Sequence, residues 1–138
     1  MENAIAWAKH PQREHYKLSV TLKTDRTLIG SCTITYVKPE SFETPIGWHY
    51  GNKYRGNGYA TEAARQLLYI GFELNKVNEI RADCFSDNKA SIIIMEKIGM
   101  SPYWDSSLFN MIRGWSYGES RSTVRHIISR HQWLAKIK

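Results

Sequence analysis

Apolar and polar side chains alternate along Tyr16–Leu22 (Y-K-L-S-V-T-L), the period of a strand with one buried face. A turn-like Lys23-Thr24-Asp25-Arg26 follows, then a second β-rich run, Thr27–Val37, so the pair predicts an antiparallel hairpin. Pro39–Pro45 breaks the pattern, and Ile46–Tyr50 resumes it as a third strand. The period then lengthens. Ala60, Ala63, Ala64, Leu67, Leu68, Gly71 and Phe72 recur at three and four residues, which predicts a helix over Tyr59–Leu74, closed by Asn75–Asn78. Glu79–Phe85 alternates again as a fourth strand. Asp87 or Asn88 can cap a second helix with a stripe of Ala90, Ile93, Ile94 and Lys97/Ile98, and Gly99 ends it as a left-handed C-terminal cap does. Residues 2–9 read as the last turns of a further helix. After Gly99 come an aromatic-rich stretch, Tyr103–Tyr117, and a final segment, Thr123–Lys136. Val124, Ile127, Ile128, His131 and Leu134 fit a helix there, and Val-Arg-His-Ile-Ile-Ser fits a strand.

The order β-β-β-α-β-α-β-β is a mixed α/β (α+β) layout. The connection from the third strand through the long helix to the fourth has the length of a parallel crossover. No repeat or linker divides residues 1–138, which predicts a single domain long enough to bury a real core. An apolar fraction of 42% and a charged fraction of 23% are those of an ordinary globular chain. The longest apolar run, Ile92–Met95, is far too short for a membrane, and the first ten residues lack the pattern of a secretion signal. Cys32 and Cys84 have neither metal-ligand nor CxxC spacing, so we expect two reduced thiols in a cytoplasmic protein and no metal site. The formal charge of +6 suits a polyanion, either nucleic acid or a small phosphate-rich ligand. The aromatics form no stacking platform for bases, so nucleic acid is not the expected partner.

Chemistry concentrates in Lys53-Tyr54-Arg55-Gly56-Asn57-Gly58-Tyr59-Ala60-Thr61-Glu62, which follows a strand and opens a helix. Gly56 and Gly58 permit backbone angles that a β-carbon forbids. The first amides of a helix have no internal partner, and its dipole adds positive potential there. Such a turn holds an anion, above all a diphosphate, with Lys53 and Arg55 adding charge at the rim. A P-loop needs a Gly-Lys-Ser/Thr ending that is absent, and a dinucleotide fingerprint needs Gly or Ala where Thr61 stands.

The turn resembles motif A of the GNAT acetyltransferases, Q/R-x-x-G-x-G/A, with Lys53 where Gln or Arg is usual. The segments Y-R-G-N-G-Y-A-T-E-A, G-F-E-L-N-K-V-N-E-I-R-A and D-N-K-A-S-I-I-I-M-E-K-I-G-M are similar to the branch of ribosomal-protein N-terminal acetyltransferases, the RimJ/RimL type. The resemblance runs from about Tyr16 to Met100. It implies a GNAT-like acyl-CoA N-acyltransferase fold: a mixed, mostly antiparallel sheet with a splayed central parallel strand pair, flanked by helices. It further implies an acetyl-CoA-dependent N-acetyltransferase acting on a primary amine, either a protein N-terminus or a small amine. The alternative is an acyl-CoA-binding module with weak or no catalysis.

The resemblance places the diphosphate of acetyl-CoA on Arg55, Gly56, Asn57, Gly58, Tyr59 and Ala60. The pantetheine arm is placed beside Trp48, His49 and Tyr50 of the third strand, and Asn88 against the same arm, where it can also be a helix cap. Many members use a Tyr four residues before the terminal Gly of the second helix as general acid; that position is Met95 here, so Ser91 is the candidate acid. Glu43 and His49 are the candidate bases, and Tyr103 and Trp104 could line the acceptor site. Deprotonating an α-amine at pH 7 costs about 1 kcal/mol, a lysine about 5 kcal/mol, so an α-amine needs only a weak base. Relative to the family the chain lacks the usual first strand and much of the first helical region. An uncovered sheet edge invites pairing with another chain, which leads us to expect a homodimer. By resemblance the last segment is a strand.

Overall fold

A computed structural model describes residues 14–42, 44–103 and 122–136. The expected hairpin is there: β1 (Tyr16–Thr21) pairs antiparallel with β2 (Leu28–Ile34), from Tyr16↔Ile34 to Thr21↔Leu28. Alternation buries Tyr16, Leu18 and Val20 and leaves Lys17 and Ser19 in solvent. In the turn, the Asp25 carboxylate accepts from Thr27 N at 3.0 Å and Thr27 Oγ1 at 2.7 Å, and these bonds hold its pKa below the ordinary value.

β2 pairs antiparallel with β3 (Thr44–Tyr50), which begins two residues before the expected start and carries Pro45 inside it. The chain then enters α1 (Tyr59–Tyr69), which widens into a π-turn over Ile70–Leu74. Asn75 ends that turn, its main-chain and side-chain nitrogens both donating to Ile70 O at 3.1 and 2.8 Å. The crossover delivers β4 (Glu79–Phe85) parallel to β3. Then follow α2 (Lys89–Lys97), the three-residue β5 (Ser101–Tyr103) and β6 (Thr123–Ser129), giving a six-stranded sheet in the order β1-β2-β3-β4-β6-β5. Gly99 ends α2 at φ 95°, as its position predicts.

The last segment corrects the single-strand assignment. It is a strand only to Ser129 and then α3 (Arg130–Lys136). The switch has a local cause. Ser129 Oγ accepts from Gln132 N at 3.1 Å, while Gln132 Oε1 accepts from Ser129 N at 2.9 Å. This reciprocal pair is a capping box, and it starts a helix wherever the strand runs out. Trp133 of α3 then packs on Phe72, ring centroids 5.4 Å apart.

The core lies between the sheet and α1: Leu67, Leu68, Ile70 and Phe72 meet Ile34, Ile80 and Ile128, all essentially without solvent contact. Met95 of α2 is buried in the same core. Among the described residues no helix is long and apolar enough to cross a membrane. Cys32 and Cys84 are both free; burial pushes the Cys32 thiol up to about 12 and also raises Cys84, where Asp83 and Asp87 add to it. The helix read over residues 2–9, most of the aromatic stretch after Tyr103, and the candidates Glu43 and Trp104 lie outside the described residues.

Candidate active site

β3 and β4 are paired only at Thr44↔Ile80, Pro45↔Arg81 and Ile46↔Ala82. Beyond Ile46 they part. Each keeps its outer partner, β3 as far as Tyr50↔Gly30 and β4 as far as Phe85↔Thr123, so the gap opens inside an otherwise continuous sheet. At the gap, Arg125 clasps Asp83 with two hydrogen bonds, Nε to Oδ1 at 2.7 Å and Nη2 to Oδ2 at 3.3 Å, which ties β4 to β6 where it leaves β3.

A cleft of about 390 Å3 lies against this gap, walled by the open half of β3, the glycine turn, the start of α1 and one side of α2. Gly56 and Gly58 take φ of 83° and 81°, a left-handed conformation that costs a residue with a β-carbon about 1–2 kcal/mol. A β-carbon built on either would meet nothing within 4 Å, so the turn presents bare main chain. Gly58 is the N-cap of α1 and supplies no side-chain cap, while the first main-chain bond of the helix runs from Glu62 N to Gly58 O at 3.0 Å. The amides of Tyr59, Ala60 and Thr61 therefore lack the partner a Ser or Asp cap would provide. Arg55 and Lys97 bring positive charge to the cleft wall, and Glu62, the acidic residue of the first turn, lies outside it in a separate hollow with Val20 and Leu22.

At the start of α2, Asn88 is the cap: its Oδ1 accepts from Ser91 N at 3.2 Å. Ser91 Oγ accepts a hydrogen bond from the Trp48 indole Nε1 at 3.2 Å, across 43 residues of sequence. By the alternation of a strand, Ile46, Trp48 and Tyr50 share one face of β3 and His49 the other. Tyr50 is buried, its hydroxyl has no partner among the described residues, and desolvation raises its pKa, with Cys32 and Glu62 adding to the effect.

Of the residues singled out from sequence, Trp48, His49, Tyr50, Arg55, Gly56, Gly58, Tyr59, Ala60, Asn88 and Ser91 line this one cleft. Lys53 and Asn57 do not. The Lys53 ammonium sits 5.0 Å from the centroid of the Tyr54 ring, and Asn57 Nδ2 turns back to Arg55 O at 3.4 Å. Sequence reading missed Tyr54, Thr61 and the α2 wall of Ala90, Ile93, Ile94 and Lys97. That stripe was legible, but periodicity does not say whether a stripe faces core or cleft. Ala90, Ile93, Ile94 and Lys97 line the cleft, whereas Ile98 of the same stripe is buried in the core.

A splayed sheet beside an uncapped, cation-flanked helix start is an arrangement suited to a phosphate-bearing, extended ligand at a break in the backbone pairing. Residues 1–101 match the family model of the Acetyltransferase (GNAT) domain, and the chain belongs to that family. It is 36% identical over 85 residues to an uncharacterized N-acetyltransferase, YnaD, of Bacillus subtilis strain 168, covering 61% of this chain and 49% of that one. An acetyltransferase (GNAT family) from Bacillus anthracis superposes with a TM-score of 0.69 at 28% identity, over 83% of this chain and 66% of that one. Spermidine N-acetyltransferase from Vibrio cholerae, solved with CoA and spermine, shares the fold at a TM-score of 0.70 and 13% identity, over 90% of this chain and 70% of that one. The chain spans about half the length of the curated relatives it matches. Among the described residues no group of three His, Cys, Asp or Glu is placed to hold a metal ion.

Proposed function

We propose that the chain moves an acetyl group from the thioester of acetyl-CoA to a primary amine by direct attack. The observation that carries this reading is the cleft itself, which joins an uncapped, cation-flanked helix start to the open edge of β3. The linked phosphates suit the amides of Tyr59, Ala60 and Thr61 together with Arg55. The amide-bearing arm suits the main-chain groups of Gly47–Tyr50 that have lost β4 as a partner. Acetyl-CoA supplies an activated acyl carbon and a thiolate leaving group. The amine's nitrogen forms the new bond as carbon–sulfur breaks, and the proton it loses passes to solvent or to His49, which is exposed on the far side of β3 from Trp48. Ser91 faces the cleft as the hydroxyl donor at α2.

A primary amine of a protein N-terminus or of a small molecule is the acceptor we propose, in keeping with the RimJ/RimL-type likeness. A homodimer is part of the same reading, supported by β1 standing at the end of the sheet among the described residues. A monomer in sedimentation at tens of micromolar would remove the dimer. The observation favouring a second reading, a CoA-binding module without turnover, is Met95: it is buried, and it cannot donate a proton. Thiol release from acetyl-CoA, measured with peptide, polyamine and aminoglycoside amines beside calorimetry of acetyl-CoA binding, decides between the two. Release with any of these amines supports the enzyme; binding without release supports the module.

A further inference from the structure

We propose that Trp48 is a positioning residue for Ser91: its indole N–H fixes and polarises the serine hydroxyl so that the O–H is presented to the sulfur leaving the thioester. This rests on the acetyltransferase reading above. Ser91 is held at two points. Its main-chain nitrogen is bonded to the Asn88 cap at 3.2 Å, and its Oγ receives the Trp48 Nε1–H at 3.2 Å. An indole N–H only donates, so the serine oxygen must be the acceptor and its own proton must point elsewhere. No group among the described residues takes that proton, and the side chain lines the cleft. A first-turn serine that served only to start its helix would spend its hydroxyl on nearby main chain. Here the capping is done by Asn88, and the hydroxyl is engaged by a residue from a different element.

Trp48 is well placed to be rigid. It lies on β3 two residues past the last pair with β4, still stands opposite Cys32 in the ladder with β2, and packs against the core. A donor already bonded to Oγ strengthens the hydrogen bond its O–H can give in turn, because successive bonds polarise one another. The chemistry this serves is specific. A thiol ionises near 8.5, so a departing thiolate is far too weak a base to take a proton from an alcohol. Ser91 therefore donates a hydrogen bond to sulfur while the carbon–sulfur pair leaves on it. The products are the amide, CoA as its stabilised thiolate, and the proton released from the amine.

Thiolate absorbance of CoA bound to excess protein, titrated from pH 6 to 10, reads this without any amine acceptor. With the parent protein the midpoint should lie below that of free CoA. Trp48→Phe, which keeps an aromatic ring but has no N–H, should move the midpoint up by at least half a pH unit. In turnover it should lower kcat about five- to tenfold, a larger factor than its change in the acetyl-CoA dissociation constant. Ser91→Ala, in the half-buried first turn of α2, should show the same shift, and the double variant no more than either alone. The proposal is overturned if Trp48→Phe titrates like the parent, if the two substitutions add, or if Trp48→Phe binds acetyl-CoA faster at unchanged kcat, the behaviour of a gate. A parent protein that neither binds CoA nor releases thiol overturns the acetyltransferase reading, and this inference with it; a parent that does both, beside a silent Trp48→Phe, overturns this inference alone.

Discussion

The two halves of the β3–β4 pair make opposite use of the same kind of backbone. At the closed end, Thr44 and Ile46 stand against Ile80 and Ala82 in a regular parallel ladder, and all four are buried. At the open end, Gly47–Tyr50 and Asp83–Phe85 have no ladder between them, although each strand keeps its other neighbour. The closed end satisfies its polar main chain internally and contributes stability. The open end leaves donors and acceptors of a central strand unpaired, a state ordinarily costly unless water or a ligand completes it. One half therefore holds the fold together, and the other is free to hold a ligand.

If that division is real, damage at the two ends should be separable. The largest effect belongs to the closed end. Ile80→Ala removes a fully buried side chain and should cost about 2–5 kcal/mol of stability in denaturant titration. The folded fraction should still bind acetyl-CoA within about twofold of the parent; a parallel loss of affinity would show that the ends are coupled. Next comes the open end. Gly58→Glu puts a carboxylate at the helix start and should weaken acetyl-CoA binding about 100-fold by calorimetry, about 2.7 kcal/mol. Its cost in stability should be confined to the left-handed backbone at Gly58, about 1–2 kcal/mol.

A smaller effect sharpens the boundary between the halves. His126 lies opposite Ala82, the last register before the gap; it is buried, and neither ring nitrogen has a hydrogen-bond partner among the described residues. Burial lowers its pKa, with Glu96 opposing, so the folded protein resists protonation that the unfolded chain accepts near 6.5. Stability should be level above about pH 6.5 and should fall below it, down through the lower value His126 has when folded. His126→Leu should flatten that acid limb and, by removing two unsatisfied nitrogens, add about 1 kcal/mol at neutral pH. The smallest change lies outside both halves. Ser129→Ala removes one half of the capping box and should cost about 1 kcal/mol, with acetyl-CoA affinity unchanged.

Much of this was legible from local pattern. Period two marked β1 and β4, a β-rich run marked β2, period near four marked α1, and two glycines marked the turn at the strand-to-helix junction. The capping box was also legible, as Ser129-x-x-Gln132, but an apolar stripe running on through Leu134 masked the change from strand to helix. Lys53 was read into the site from its place in the motif and Asn57 from its main-chain amide; the structure adds that their side chains rest on a neighbouring ring and a neighbouring carbonyl. Local hydrogen bonds of that kind leave no periodic trace.

Residue order alone determined where strands and helices form, because backbone preference, side-chain period and capping act over a few neighbours. It also determined the bare turn at Gly56 and Gly58, since no other residue takes those angles at so little cost. Only the tertiary structure decided that β3 and β4 separate after Ile46 and that Trp48 reaches Ser91. It also decided that the outer stripe of α2 walls a cleft. A strand's choice of neighbour is settled by segments dozens of residues away, and so is the direction an apolar stripe faces. No window of sequence short enough to show a period contains both partners of such a contact.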